Sequence, residues 1–244
     1  MKKLAFLFFW ALLTLPVLAD HLMIVTEDLP PYNYLDNGKP TGLSTEVVET
    51  VLARTGHNPD IQFLPWARAY QIALTQPNTL IYSIARTGDR EELFAWVGTI
   101  APFGASLYQR AKAPRLKLQS LSDARVYQVG VYRGDVKESF LRANGFVNLQ
   151  TTEDDRLNLR KLMLGRIDLI AIDDSVLISL LKKEGIDPMD IRRVMPIDDL
   201  SGNLYMAFNK DTPKDLVDTF RKGLEDIKAD GTFEQILRKY LLVN

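Results

Sequence analysis

The 244-residue chain contains no cysteine. That excludes disulfides, thiolate metal ligands and a cysteine-linked lipid anchor. It contains two histidines, His21 and His57, far apart in sequence. A histidine-rich metal centre or a Ser-His-Asp triad has little to draw on. His57, in Thr55-Gly56-His57-Asn58, reads as an exposed loop between a helix and a strand. Neither charge is in excess: the formal net charge is −1, with no basic face of the kind nucleic acid requires. Long apolar runs are missing too, apart from one at the very start. A chain without disulfides must hold itself together by its core, and 46% hydrophobic residues supply the material. No metal or cofactor is expected.

The one apolar run explains its own position. Lys2 and Lys3 precede residues 4–15, which are apolar except for Thr14. Pro16 then leads into Val17-Leu18-Ala19, with small residues where a signal peptidase reads. The run is shorter than the roughly 20 residues that a bilayer span takes. Residues 1–19 are therefore expected to be a secretory signal cut after Ala19, leaving a periplasmic chain that begins at Asp20. Losing the two lysines takes the net charge to −3. The remaining chain of about 225 residues has the length of one large domain or two small ones.

Strand and helix patterns alternate along that chain. Residues 22–25, 61–64, 80–84, 126–131, 147–149, 167–172 and 204–208 read as strands. The run 167–172 is almost wholly aliphatic, as befits a strand buried on both faces. Ser44 is placed to cap a helix whose buried face is Val47, Val48, Val51 and Leu52 and which stops near Gly56. Further helices are expected over 67–74, from Gly134-Asp135 to Gly145, and over 157–164 and 175–184. A long one carries Leu216, Val217, Phe220, Leu224 and Ile227. The end, Ala229-Asp230-Gly231-Thr232-Phe233-Glu234-Gln235-Ile236-Leu237, continuing to Leu241, reads as a glycine turn and a second amphipathic helix. This is α/β grammar in two similar halves, with mostly parallel sheets expected. The basic, proline-containing segment 109–118 and the segment 196–202 read as two crossings between lobes. Lobe one is then 20–108 with 203–244, and lobe two is 109–202.

In open α/β sheets a ligand lies beyond the carboxyl ends of the strands, near helix N-termini. Arg86 and Arg90 follow the strand 80–84. Arginine there can clamp a carboxylate with two parallel hydrogen bonds, or form a surface pair with Glu91 or Glu92. Ser83 ends the same strand. Asp173 and Asp174 follow 167–172, where one carboxylate can meet a ligand ammonium and one can cap the next helix. We assign Asp173 to the ligand and Asp174 to the cap, roles the two can exchange. Gly134-Asp135 after 126–131 is an anion-binding turn, or Asp135 is simply an N-cap. Trp66 is a stacking wall or a core ring, and Arg68 beside it can meet a second acidic group. Tyr32, in Pro30-Pro31-Tyr32, reads as core or lobe surface.

These segments together resemble family 3 of the bacterial extracellular solute-binding proteins, the amino-acid-binding components of ABC importers. The resemblance rests on the C-terminal Gly231-Thr232-Phe233 stretch and on Pro30-Pro31-Tyr32. It rests also on Thr87-Gly88-Asp89-Arg90 followed by Leu93-Phe94-Ala95-Trp96 and Ala101-Pro102-Phe103, and on Gly165-Arg166-Ile167-Asp168 leading to Asp173. It covers residues 26–241. It implies a periplasmic-binding-protein-like fold: two α/β lobes with mostly parallel sheets, joined by two hinge crossings. It implies that the lobes close on a small carboxylate-bearing ligand, an amino acid or a related polar or anionic compound, and that the closed form docks on an inner-membrane ABC permease. The protein would be a monomer and not an enzyme. Arg90 falls on the family's carboxylate-binding arginine, Thr87 on its threonine and Asp173 on its aspartate. Ala85 stands where a hydroxyl is usual and Arg86 follows it, which points away from an ordinary α-amino acid. Ser83, Arg86, Arg68 and Asp135 are further candidates, and three arginines near one cleft suggest a ligand with added negative charge. Two alternatives share the fold. One is a cyclohexadienyl-dehydratase-like enzyme using Asp135, Asp173 or Glu27 as acid or base. The other is a sensory module that presents its ligand to a membrane receptor.

Overall fold

The computed structural model describes residues 22–241, in which two five-stranded sheets build two lobes. The expected signal, 1–19, and the expected first residue Asp20 lie outside the described residues. The first half runs β1 (Met23–Thr26), β2 (Tyr34–Asp36), β3 (Lys39–Thr41), α1 (Leu43–Thr55), β4 (Ile61–Phe63), α2 (Trp66–Thr75), β5 (Thr79–Ala85) and β6 (Phe94–Phe103). The middle runs β7 (Ala105–Arg110), β8 (Val129–Tyr132), α3 (Val136–Ala143), β9 (Leu149–Thr152), α4 (Asp155–Met163), β10 (Leu169–Asp173), α5 (Asp174–Glu184) and β11 (Ile191–Pro196). The chain ends with β12 (Gly202–Asn209), α6 (Lys214–Ala229) and α7 (Thr232–Leu241).

The sheet orders are β4-β1-β5-β12-β6 and β11-β7-β10-β8-β9, with β2-β3 a separate hairpin. In the first sheet β1 pairs in parallel with β4 and β5, and β12 runs antiparallel to β5 and β6. The second repeats the plan: β8 is parallel to β9 and β10, while β7 is antiparallel to β10 and β11. The fold is therefore α/β with mixed sheets. β6, β7 and β11 escape the sequence pattern because Gly98 and Pro102 interrupt one and Arg192-Arg193 another. The expected strand at 126–131 starts late, since Leu121–Val126 is a 3-10 turn that leaves Val126 exposed.

Helices cover both faces of each sheet, so the central strands are apolar on both sides. In β5, Leu80 and Tyr82 pack with α1 and α6, whereas Ile81 and Ile84 pack with Trp66, Ala69 and Ala73 of α2. In β10, Ile170 and Ile172 face α4 and α5, and Leu169 and Ala171 face Val136 and Leu141 of α3. Phe220 of α6 is wholly buried edge-on to Phe208 of β12, with ring centroids 5.0 Å apart.

The start of α1 departs from expectation. Ser44 is buried inside the first turn, and the N-cap is Gly42. The orphan amides are met by backbone instead: Leu43 N–H donates to Pro31 O (3.0 Å), and Ser44 N–H to Tyr32 O (2.8 Å). Only glycine permits this approach. Gly42 has φ +117°, and a Cβ there would lie 2.4 Å from Tyr32 O.

The chain changes sheets twice. It leaves the first at Gly104, between β6 and β7, and returns across 197–201, between β11 and β12. The first passage is thus earlier than the expected 109–118. Residues 105–110 already pair with β10 and β11, and the basic segment is the surface turn that follows them.

Candidate ligand-binding site

Where the lobes face each other, the strand ends of both sheets enclose a cavity of about 20 Å³. It opens past Leu29, Asp155 and Val176, which also line an outer chamber of about 470 Å³. The site is thus an inner pocket with a wide antechamber, both walled by the two lobes.

From the first lobe, β5 and the turn after it supply Ser83 and Arg90. Ser83 is the extra residue of a β-bulge: Tyr205 faces Ile84 and Met206 faces Tyr82, leaving Ser83 unpaired at φ +61°. The bulge aims its side chain at the cavity, where the buried Oγ has no partner among the described residues. Thr87 shapes the following turn, its carbonyl accepting from Arg90 N–H (3.0 Å). The Arg90 side chain folds back into the cavity and is only 4% exposed. Its guanidinium lies 5.6 Å from the Trp66 ring centre and 5.1 Å from that of Tyr70, and Nη1 donates to Ala85 O (3.2 Å). No carboxylate among the described residues pairs with it. The two rings flank the guanidinium at cation–π distance.

The second lobe contributes a charged wall. Asp135 caps α3, its Oδ1 accepting from Lys137 N–H (2.8 Å) and from the Lys137 ammonium (2.7 Å). Lys137 is 3% exposed, and its Nζ lies 5.6 Å over the Phe103 ring. Asp155, the first residue of α4, is buried beside them and raised to about 6, chiefly by burial, with Lys137 pulling it back. Asp173 ends β10 and caps α5. It accepts from Ser175 N–H (2.9 Å), Val176 N–H (3.0 Å), Gly104 N–H (3.0 Å) and the Tyr32 hydroxyl (3.1 Å). The cap therefore falls to Asp173, not Asp174. Asp174 instead accepts from Tyr108 Oη (2.8 Å) and pairs with Arg193 (3.3 Å).

Glu27 follows β1 and closes the cavity from the first lobe. Burial, then the Asp135 charge, pushes its carboxyl up to about 8, so it is protonated at neutral pH. Its Oε2 is another buried atom without a partner among the described residues.

Two contacts at Trp66 tie the lobes together. Its Nε1–H donates to Gly134 O (2.9 Å), and its backbone N–H, an orphan donor at the start of α2, reaches Tyr132 Oη (3.4 Å). The Tyr32–Asp173 bond is a third. Trp66 is thus core, cavity wall and latch together.

Of the residues singled out in the sequence, the fold brings Arg90, Ser83, Trp66, Asp135 and Asp173 to one cavity. Thr87 lies beside it without lining it, although its buried Oγ1 also lacks a partner among the described residues. Arg86 and Arg68 are elsewhere. Arg86 is exposed, paired with Glu91 and stacked 5.2 Å from Trp96; Arg68 is exposed on α2. Of the three expected arginines only Arg90 lines the inner cavity, because alternate positions around the turn and helix point away from it, while Arg156 of α4 lines the outer chamber. Lys137 and Asp155 escape the sequence reading, and Glu27 enters it only as a general acid or base. The strand-end rule finds Glu27 after β1 and Asp155 near β9. Nothing in the sequence separates Lys137 from an ordinary solvated helix lysine.

The fold and its interlobe pocket define the periplasmic-binding-protein type. The chain superposes on a histidine kinase sensor domain with similarity to periplasmic binding proteins at TM-score 0.82 and 20% identity, covering 90% of this chain and 96% of that one. On an ancestral arginine-binding protein bound to arginine the TM-score is 0.78 at 21% identity, covering 90% and 97%. Over residues 22–243 the sequence matches the bacterial extracellular solute-binding proteins, family 3, and the chain belongs to that family. Its relatives include the probable amino-acid-binding protein YxeM of Bacillus subtilis, 24% identical over 86% of this chain and 79% of that one. A probable histidine-binding protein of Campylobacter jejuni is 24% identical over 87% and 81%. The L-cystine-binding protein TcyJ of Escherichia coli is 22% identical over 86% and 78%. These relatives are named as binding proteins, not enzymes. Among the described residues no helix is long and apolar enough to cross a membrane, and no cluster of histidine and acidic residues could hold a metal ion.

Proposed function

We propose that this protein, exported to the periplasm with loss of residues 1–19, captures a small carboxylate-bearing solute between its lobes. It then delivers that solute to an inner-membrane ABC permease. The observation that carries this reading is Arg90: a buried guanidinium, beside two aromatic rings, facing a cavity that both lobes build and lacking a carboxylate partner among the described residues. Burying an unpaired charge is costly, so such a group is kept for a partner that arrives. Ser83 Oγ adds a second donor at the same place. The relatives described above, probable amino-acid- and histidine-binding proteins and an L-cystine-binding protein, support an amino acid or a related polar compound as the solute. The protein works as a monomer and releases its ligand chemically unchanged.

Native mass spectrometry of freshly purified protein identifies a retained solute, and calorimetry then tests the clamp. Arg90→Ala is expected to weaken binding by about 2–5 kcal/mol, since the ligand charge is left buried and unpaired. Arg90→Lys is expected to weaken it less, keeping the charge but losing the planar fork. Wild-type affinity in a folded Arg90→Ala variant would sink the reading.

A further inference from the structure

The inner cavity has an imbalance of needs. Two of its acids, Asp135 and Asp173, already have donors from the protein. Asp135 accepts both the amide and the ammonium of Lys137, and Asp173 accepts four hydrogen bonds from the hinge, α5 and Tyr32. Lys137 is nearly inaccessible to solvent, lines the same cavity as Arg90, and projects from the acidic wall. Its ammonium sits on Asp135, with the charges of Asp155 and Asp173 nearby, in the place that the ammonium of an amine-bearing ligand would take to pair with Asp135. What is left over on the other side is the Arg90 guanidinium, bonded to the Ala85 carbonyl but to no carboxylate, together with the Ser83 hydroxyl and Glu27 Oε2, which have no partner among the described residues.

We infer that Lys137 is a built-in replacement for a ligand ammonium, and that the solute is a carboxylic acid with no amino group beside its carboxylate. An α-amino acid would have to expel a buried lysine from its aspartate, leaving a charge stranded in the closed cleft. An amine-free acid presents only the anion that Arg90 and Ser83 await, and Lys137 adds a second positive charge from the opposite lobe as the cleft closes. The rest of the molecule extends past Leu29 and Val176 into the outer chamber, where Leu35, Phe63 and Leu180 form an apolar part of the wall and Asp28, Asp154, Arg156 and Lys183 a charged part. This rests on the solute-binding reading above and narrows its ligand class.

The test uses matched pairs that differ only in the α-amino group: L-glutamate and glutarate, L-histidine and imidazole-4-propionate, L-arginine and 5-guanidinopentanoate, L-phenylalanine and 3-phenylpropionate. Binding is read by thermal shift and then calorimetry on the full chain. In wild type the amine-free member of a pair that binds is expected to be favoured by about tenfold or more, and Lys137→Met is expected to move that ratio about tenfold toward the amino acid. Tighter wild-type binding of an α-amino acid overturns the inference while leaving the solute-binding reading intact, provided Arg90→Ala weakens that binding. An unchanged ratio in a folded Lys137→Met variant overturns it as well. If that variant does not fold, the wild-type ratio decides alone. If no pair binds, the solute identified by native mass spectrometry decides: an α-amino acid overturns the inference and leaves the solute-binding reading intact, and an amine-free acid supports it.

Discussion

Glu27 carries the sharpest pH signature at the level of single residues. Its carboxyl stands at about 8 in the fold against an ordinary 4.5, because burial and then Asp135 oppose its ionisation. Between those values the folded state holds a proton that the unfolded chain has released, so stability falls as pH rises through the window. Asp155, raised to about 6 from 3.8, adds a fall of the same sign at lower pH. Glu27→Gln keeps the neutral shape and removes the titration. Thermal melts at pH 5, 7 and 9 are expected to show wild type losing stability faster than the variant, by a difference of a few kcal/mol at most. Parallel curves for the two proteins would mean that Glu27 ionises normally. Lys137 is raised as well, though toward its charged form: burial opposes the charge, but Asp135, Asp155 and Asp173 outweigh it, so the pairing holds at neutral pH and its contribution is likewise lost only as pH rises through the alkaline range.

Among the elements, α1 depends on a junction more than on its own propensity. Its first amides are satisfied by the carbonyls of Pro31 and Tyr32, and Gly42 makes the approach possible. Gly42→Ala places a methyl inside the Tyr32 carbonyl and forces a strained φ on a residue with a side chain. A loss of about 2–3 kcal/mol in urea unfolding is expected. Because Tyr32 also donates to Asp173, the same change should weaken ligand binding, whereas Gly56→Ala, in open space at the other end of α1, should cost less and leave binding alone. Equal losses at the two glycines would show that the close approach is not what matters.

For the whole molecule, the contacts across the cleft describe a closed arrangement, and capture requires an open one. Chain passages at Gly104 and 197–201 are the natural hinges. Small-angle scattering is expected to show compaction when a ligand binds. Trp66→Phe removes the Nε1–H bond to Gly134 O and should cost the closed form about 1 kcal/mol, shifting the ligand-free ensemble toward the open one. A radius of gyration unchanged by saturating ligand would count against closure.

The amino-acid sequence by itself determined the grammar of this protein. Apolar runs and glycine stops marked β1, β5, β10 and the helices, since those elements bury local patterns of period two or 3.6. It also marked the strand ends, hence Arg90 and Asp173, which the fold brings to the interlobe cavity. Relations across the chain were decided only by the tertiary structure. The antiparallel strands β6, β7 and β11 owe their place to neighbours more than to their own pattern. Ser44 lost its cap to carbonyls supplied by another segment. Arg86 and Arg68 turned outward while Arg90 turned in, a matter of rotation about one turn that residue type does not encode. Lys137, unremarkable in the sequence, became a central charge of the pocket because α3 and α4 of one lobe meet β1 and β5 of the other. Local chemistry is written residue by residue, but a buried charge acquires its meaning from whatever the fold sets opposite it.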